Sequence, residues 1–288
     1  MIAELSNRYN RGKLISLQSI LWGGLGGIAA VMVALPLLNV MGDEFWRVLL
    51  GLGMVPPLVV LALRRSINES WVWQIKRVRG EDARLRNRGK YALTLFFTAL
   101  SLFTWTFILA IFANYTPAIL VSVMGLSKAM ALLISGLQWI SFVIGGLVVF
   151  RCCDQFGRRK LIIPTGIITA VLLCLSSMII KSPLALSIVL LILWVLGGIG
   201  YIVSSIYSSE LFPTLLRGGT SSGINFSSGR LGGYLSTLIL PSLLLSIGLS
   251  KLFIVLAVIM IPLIIISIVV APSSESKDLD ELEKDYLS

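Results

Sequence analysis

Eight stretches of this sequence run for 19 to 25 residues without one Asp or Glu: 14–38, 45–63, 91–115, 129–150, 161–180, 184–207, 221–245 and 252–271. A hydrocarbon core about 30 Å thick takes about 20 helical residues, so each stretch is long enough to cross it. Inside lipid every backbone N–H and C=O must be satisfied within the protein, which leaves helices or a closed barrel. A barrel needs short alternating segments, and these runs are continuously apolar. The chain is also 56% hydrophobic and 13% charged over 288 residues, more apolar surface than a soluble chain can bury. The expected fold class is an all-α polytopic membrane protein. Pro56 and Pro57 interrupt the run 45–63, the least regular of the eight.

Charge placement sets the orientation. Of 24 Lys and Arg, 19 fall in alternate connecting segments: residues 8–13, 64–90, 151–160, Arg217 and the tail. The intervening loops hold only Lys128, Lys181 and Lys251. By the positive-inside rule the first set is cytoplasmic, and an even number of crossings places both termini on that side of the cell membrane. Residues 1–13 are polar and lead straight into a full-length run, so no cleavable leader is expected. The net charge of +10 is concentrated in the segment between two spans. Topology and attraction to anionic lipid account for it, and a nucleic-acid partner is not expected. Three cysteines and no histidine give neither a disulfide framework nor a metal site, and no cofactor is expected.

The chain repeats itself. At an offset of 206 residues Glu4 meets Glu210, Leu5 meets Leu211, Arg11 meets Arg217, Gly12 meets Gly218 and Ser16 meets Ser222. Gly23 then meets Gly229, and Leu25-Gly26-Gly27 meets Leu231-Gly232-Gly233. Each copy is a charged hinge followed by a helix with a Gly-x-x-x-Gly face, where small residues permit close helix approach. A repeat in one orientation describes a carrier built of two parallel halves.

Three motifs give these halves a family. RCCDQFGRRK resembles the D-x-x-G-R-R loop of the major facilitator superfamily through Asp154, Gly157, Arg158 and Arg159, with Phe150 where a glycine is usual. SELFPTLLRGG is similar to the hinge before the eleventh helix in the sugar-porter and organic-ion branches, the latter including aromatic-acid symporters. NESWVW resembles the segment after the sixth helix, with Trp71 in place of a proline. The resemblance implies a major-facilitator-like bundle carrying helices 5–12 of twelve. Glu4 then precedes helix five, and the counterpart of Asp154 falls before Met1, so the first four helices are expected to be lacking or supplied by a separate N-terminal half. The expected organisation is residues 1–63 as the last two helices of the first half, 64–90 as a basic central loop, 91–271 as a complete second half, and 272–288 as an acidic tail.

The resemblance also implies roles. Asp154, Arg158, Arg159, Glu210 and Arg217, with Glu4 and Arg11 in the first copy, would pair across helix ends and hold a cytoplasmic gate shut. Gly157 suits a tight turn there, and Pro213 breaks the helix and stiffens the hinge. Arg230 lies nine residues into its run, roughly 14 Å along a helix, near mid-bilayer. An Arg at that depth costs roughly 2.5–3.5 kcal/mol, and its repeat partner is Gly24. Ser227, Arg230, Tyr234 and Thr237 form one polar stripe. Thr94, Thr98, Ser101 and Trp105 form a second, and Trp194, Gly198, Tyr201, Ser205 and Ser208 a third. By resemblance these helices border the central cavity, where Arg230 would hold an anionic substrate by paired hydrogen bonds. The competing reading has Arg230 snorkelling to the interface or bonded to carbonyls. Asn114, Gln138, Trp139 and Asn225 serve equally well as joints between helices, although Gln138 remains a substrate candidate.

The expected activity is secondary transport of a small organic solute by alternating access, with a mild preference for an organic anion or metabolite. Proton coupling stays open, since the runs contain no carboxylate and the chain no His. A sugar carrier is one alternative, and a truncated, non-transporting sensor or partner subunit is another. No phosphate-binding Gly-x-x-x-x-Gly-Lys loop and no paired acids within the runs point to an enzyme.

Overall fold

The computed structural model describes residues 6, 10–64, 88–180, 182–216, 219 and 223–272. Glu4, Arg217, the NESWVW segment and the acidic tail beyond Pro272 lie outside the described residues. Among the described residues all regular structure is helical. Helix α1 (Arg11–Ser19) runs through a π-turn (Ile20–Leu25) into α2 (Gly26–Met41). A short 3₁₀ turn leads to α3 (Phe45–Leu52) and α4 (Val55–Arg64). There follow α5 (Arg88–Ser122), α6 (Lys128–Phe156), α7 (Arg158–Ile179), α8 (Pro183–Glu210), the single turn α9 (Thr214–Leu216) and α10 (Phe226–Val270).

The apolar runs and the helices coincide with informative exceptions. The run 45–63 divides at Gly53–Met54, with Pro56 and Pro57 in the first turn of α4, where their missing N–H groups cost nothing. Helices α6 and α8 continue past their apolar runs to Phe156 and Glu210, so Asp154 and Glu210 ride on helical backbone. Ser127 and Ser182 start these two helices, each hydroxyl accepting a backbone N–H three residues on. Gly157, at φ 94°, ends α6 in a conformation that disfavours any side chain. Gly248, at φ 76°, breaks α10 into a hairpin. Tyr207 donates to the Pro272 carbonyl and Ser250 to the Ser177 carbonyl, so α10 leaves and returns to the end that holds Glu210.

Helices α5 to α10 form the bundle, and α1 leans on it through Ile15. Many of its hydroxyls are satisfied within their own helices, as when Thr98, Thr165, Thr169 and Ser204 donate to carbonyls four residues back. The α6–α8 crossing is close because Gly145 and Gly198 sit on it, a Cβ on Gly198 coming 2.8 Å from the Phe142 carbonyl oxygen. The repeated glycines serve two different contacts. Gly23, Gly24 and Gly27 pack on Phe142, Val143 and Trp139 of α6, whereas Gly229 and Gly232 pack on Leu102 and Phe103 of α5.

Candidate functional site

Two places collect the chemistry, one at the Asp154 end of the bundle and one in its middle. At the first, Arg158 reaches from the opening turn of α7 to Glu210 at 2.8 Å and Asp154 at 2.9 Å. Arg11 of α1 stands 3.8 Å from the same Glu210 oxygen. The other Asp154 oxygen accepts the Lys13 backbone N–H at 3.2 Å, satisfying one of the free donors in the first turn of α1. Two guanidiniums therefore balance two carboxylates, and Arg158 and Glu210 are each 1% exposed. Charge-assisted bonds of this kind are strong when every partner is present. Gly12 belongs to the arrangement, because a Cβ there would come 2.5 Å from Asp154 Oδ1.

Four residues of the charged set thus meet around one point, Arg11, Asp154, Arg158 and Glu210, with Gly157 supplying the turn. Pro213 is buried beside them, following Leu211 and Phe212. Arg159 goes elsewhere and donates to the Ile268 carbonyl at 2.7 Å.

At the opposite end the ion pairs are exposed. Asp43, between α2 and α3, meets Lys128 at the start of α6 at 2.5 Å. Arg47 pairs with Glu44 at 3.0 Å and lies over the Trp46 ring, as an interfacial anchor would.

Between the two ends lies a cavity of about 200 Å³, smaller than pockets that hold drug-sized ligands. Ser19, Trp22 and Gly23 of the first span form one wall. Trp139 and Phe142 of α6 and Trp194 and Tyr201 of α8 form another. Thr106, Leu109, Ala110 and Ala113 of α5 and Arg230 of α10 complete it. The rings interlock, Trp139 edge-on to Trp194 at 4.8 Å and Phe142 tilted against Tyr201 at 6.1 Å. Arg230 is exposed, and no described side chain neutralises it. An aromatic box with one cation suits a small anion carrying an apolar body.

Three of the sequence candidates therefore share this wall: Arg230, Trp194 and Tyr201. The others stand apart from it. Ser101 is hydrogen-bonded to Ser204 at 2.5 Å, Trp105 is buried against Gly200, and Gln138 donates to Thr116 at 3.1 Å. Ser227 and Tyr234 are exposed and do not line the cavity. Asn114 and Asn225 join helices, donating to Thr237 at 2.9 Å and Ser208 at 3.0 Å. Trp139, given little weight in the sequence, is a principal wall, and Ser19 and Trp22 gave no sequence signal at all.

Length, topology, close glycine crossings and a central cavity define a multi-pass helical membrane bundle. The chain belongs to the sugar (and other) transporter family of the major facilitator superfamily, whose family model matches residues 1–90 and 84–286. That family is one of membrane transporters and not of enzymes. Among its relatives, YaaU of Escherichia coli (strain K12) is 26% identical over 310 residues, covering 97% of this chain and 68% of that protein. The cis,cis-muconate transport protein of Acinetobacter baylyi (strain ATCC 33305 / BD413 / ADP1) is 28% identical over 208 residues, covering 66% of this chain and 48% of the relative. The fold superposes on the proton:xylose symporter XylE with a TM-score of 0.82 at 19% identity, covering 99% of this chain and 69% of the symporter. This chain therefore spans between about half and two thirds of the length of these proteins.

Proposed function

We propose that the protein works as a secondary carrier of a small organic anion at the cell membrane, alternating access between the two ends of the central cavity. The observation that carries this reading is Arg230, a cation that no described side chain neutralises, on the wall of a mainly aromatic and aliphatic cavity. A charge at that depth is costly in a membrane unless something there uses it. The small volume favours a compact solute, and the name of the muconate relative agrees with an organic anion. On this reading the Arg11–Glu210–Arg158–Asp154 cluster closes the cytoplasmic end, with both termini on that side. Residues 1–63 then act as the end of the first half, 64–90 as the central loop, 91–271 as the second half, and 272–288 as an acidic tail.

Coupling to a proton would fall to Asp154 or Glu210, the two carboxylates inside the described bundle at that end. Uptake by the protein in sealed vesicles tests the reading. Arg230→Gln should abolish uptake of small carboxylates while the protein still folds and inserts. Carboxylate uptake at the wild-type rate in that variant would remove Arg230 from the site and the anion preference with it.

A further inference from the structure

The first span changes its winding between α1 and α2, where Ile20–Leu25 form a π-turn. Such a turn holds one residue more than the α-helix needs, is rare, and occurs mostly at functional sites. Proline does not cause it, since Pro36 lies well inside α2. The repeat does not cause it either. At the 206-residue offset the turn falls on residues 226–231, which are ordinary α-helix. The π-wound residues described in that copy, 219 and 223–225, come earlier in the register. What the turn separates is informative. On one side α1 carries contacts of the charged cluster: Arg11 to Glu210, and Gly12 and the Lys13 N–H to Asp154. At the turn, Ser19, Trp22 and Gly23 stand on the cavity wall. On the other side Gly27 lies under Trp139 and Val31 over Gly136. The turn is seated on α6 as well, Ile20 over Gly146 and Gly24 under Val143. Each seat sets a side chain over a glycine, so it is met in one register or missed. Packed contacts of this kind are bistable and not continuously deformable.

We propose that the π-turn Ile20–Leu25 couples the central cavity to the charged cluster by rewinding. Wound as it is, it lets Arg11 meet Glu210 while Gly27 stays under Trp139. Rewound as α-helix with α2 held in place, it must pass its extra residue on to α1. Residues 11–19 then turn by about 100° and travel about 1.5 Å along the axis. Arg11 and Gly12 leave Glu210 and Asp154, and Ser19 and Trp22 turn on the cavity wall in the same motion. A solute that touches Ser19 or Trp22 therefore distinguishes the two windings. Whatever it contributes to one winding it contributes to the state of the cluster that goes with it. The proposal takes its purpose from the alternating-access reading above and gives it a moving part; the chemistry of the solute does not enter.

Deleting Leu21 tests this, because it removes the extra residue and leaves the faces of α1 and α2 where they are. Leu21 is exposed and is not on the cavity wall. Trp22-Gly23 is the only Trp-Gly pair in the sequence. Carbonyl-labelled tryptophan with nitrogen-labelled glycine therefore picks out one peptide group inside the turn by magnetic resonance, with the protein in lipid nanodiscs. The perturbation needs no solute: Glu210→Gln removes the carboxylate that holds Arg11. The expected result is a shift of the Trp22-Gly23 signal towards ordinary α-helical values in Glu210→Gln. In the deletion variant the signal should be α-helical from the start and indifferent to Glu210→Gln. In sealed vesicles the deletion variant should fold, insert and lose uptake of small carboxylates. A Trp22-Gly23 signal that ignores Glu210→Gln overturns the proposal, and so does undiminished uptake after the deletion; α1 is then rigid or moves as one piece with α2. Should Glu210→Gln not fold, Arg11→Gln releases α1 from its own side and the same signal decides. Should the deletion not fold, the position of the Trp22 carbonyl signal in Glu210→Gln decides alone. Wild-type vesicles that take up no small carboxylate count against the organic-anion reading and leave the proposal to the Trp22-Gly23 signal.

Discussion

The two ends of this molecule use the same side-chain chemistry under opposite conditions. At one end Arg158, Glu210, Arg11 and Asp154 are packed out of water, with side-chain exposures of 7% or less. At the other, Asp43 and Lys128 form a pair of similar length with exposures of 77% and 60%. Both join the first span to the α5–α10 bundle. Exposed pairs of this kind contribute about 0–1 kcal/mol, because water and salt already solvate each charge. A buried cluster contributes little beyond what an apolar replacement would, yet losing one member strands the rest and costs about 3–5 kcal/mol. The buried end is therefore a latch that holds fully or fails, and the exposed end a contact that forms and breaks readily. On the alternating-access reading proposed above, that asymmetry favours a structure closed at the Asp154 end.

The largest expected effect tests the latch. Glu210→Gln leaves Arg158 and Arg11 facing each other without their shared carboxylate. The variant should lose about 3–5 kcal/mol of stability, read as a clear drop in melting temperature in detergent or nanodiscs. An unchanged melting temperature would put this cluster on the footing of a surface pair and erase the comparison.

A smaller effect is expected at Gly12, where the latch touches backbone. Alanine there places a methyl group against the Asp154 carboxylate, which is held by Arg158 and the Lys13 N–H and has little room to yield. The expected loss is about 1–3 kcal/mol. It should nearly vanish when Gly12→Ala is made on an Asp154→Ala background, since the obstacle is then gone. A penalty that persists in the double variant would mean that helix propensity or the membrane setting governs this position.

How much of this was legible beforehand depended on what each feature required. The crossings were readable because lipid penalises every charge over about 20 residues and so writes its thickness into the sequence. The latch was readable in part, since the repeat paired Arg11 with Arg217 and Glu4 with Glu210 and so marked both hinges as charged. The repeat could not show that Arg11 of one copy meets Glu210 of the other, because that contact depends on how α1 lies against α8. The cavity was the least legible. Stripes of polar residues located Arg230, Trp194 and Tyr201, but the same reasoning also selected Ser101, which bonds Ser204 of α8, and Trp105, whose ring packs against Gly200. Ser19 and Trp22 lie on a helix whose glycines, not its polar residues, bring it to α6. Periodicity along one helix cannot report which faces of different helices enclose a space.

The smallest expected effect sharpens the contrast from the other side. Asp43→Asn and Lys128→Gln should each cost less than about 1 kcal/mol, within the scatter of ordinary surface substitutions. A double-mutant cycle on the pair, repeated at low and high salt, is the informative measurement. At physiological ionic strength the Debye length is about 8 Å, and mobile ions reach a pair this exposed, so its coupling should shrink as salt rises. The same cycle on Arg158 and Glu210 should return a coupling that salt hardly changes, since ions do not enter a site about 1% exposed. If both couplings fall together, water reaches the Asp154 end as freely as the Asp43 end. The two ends would then differ in the number of their charges and not in kind.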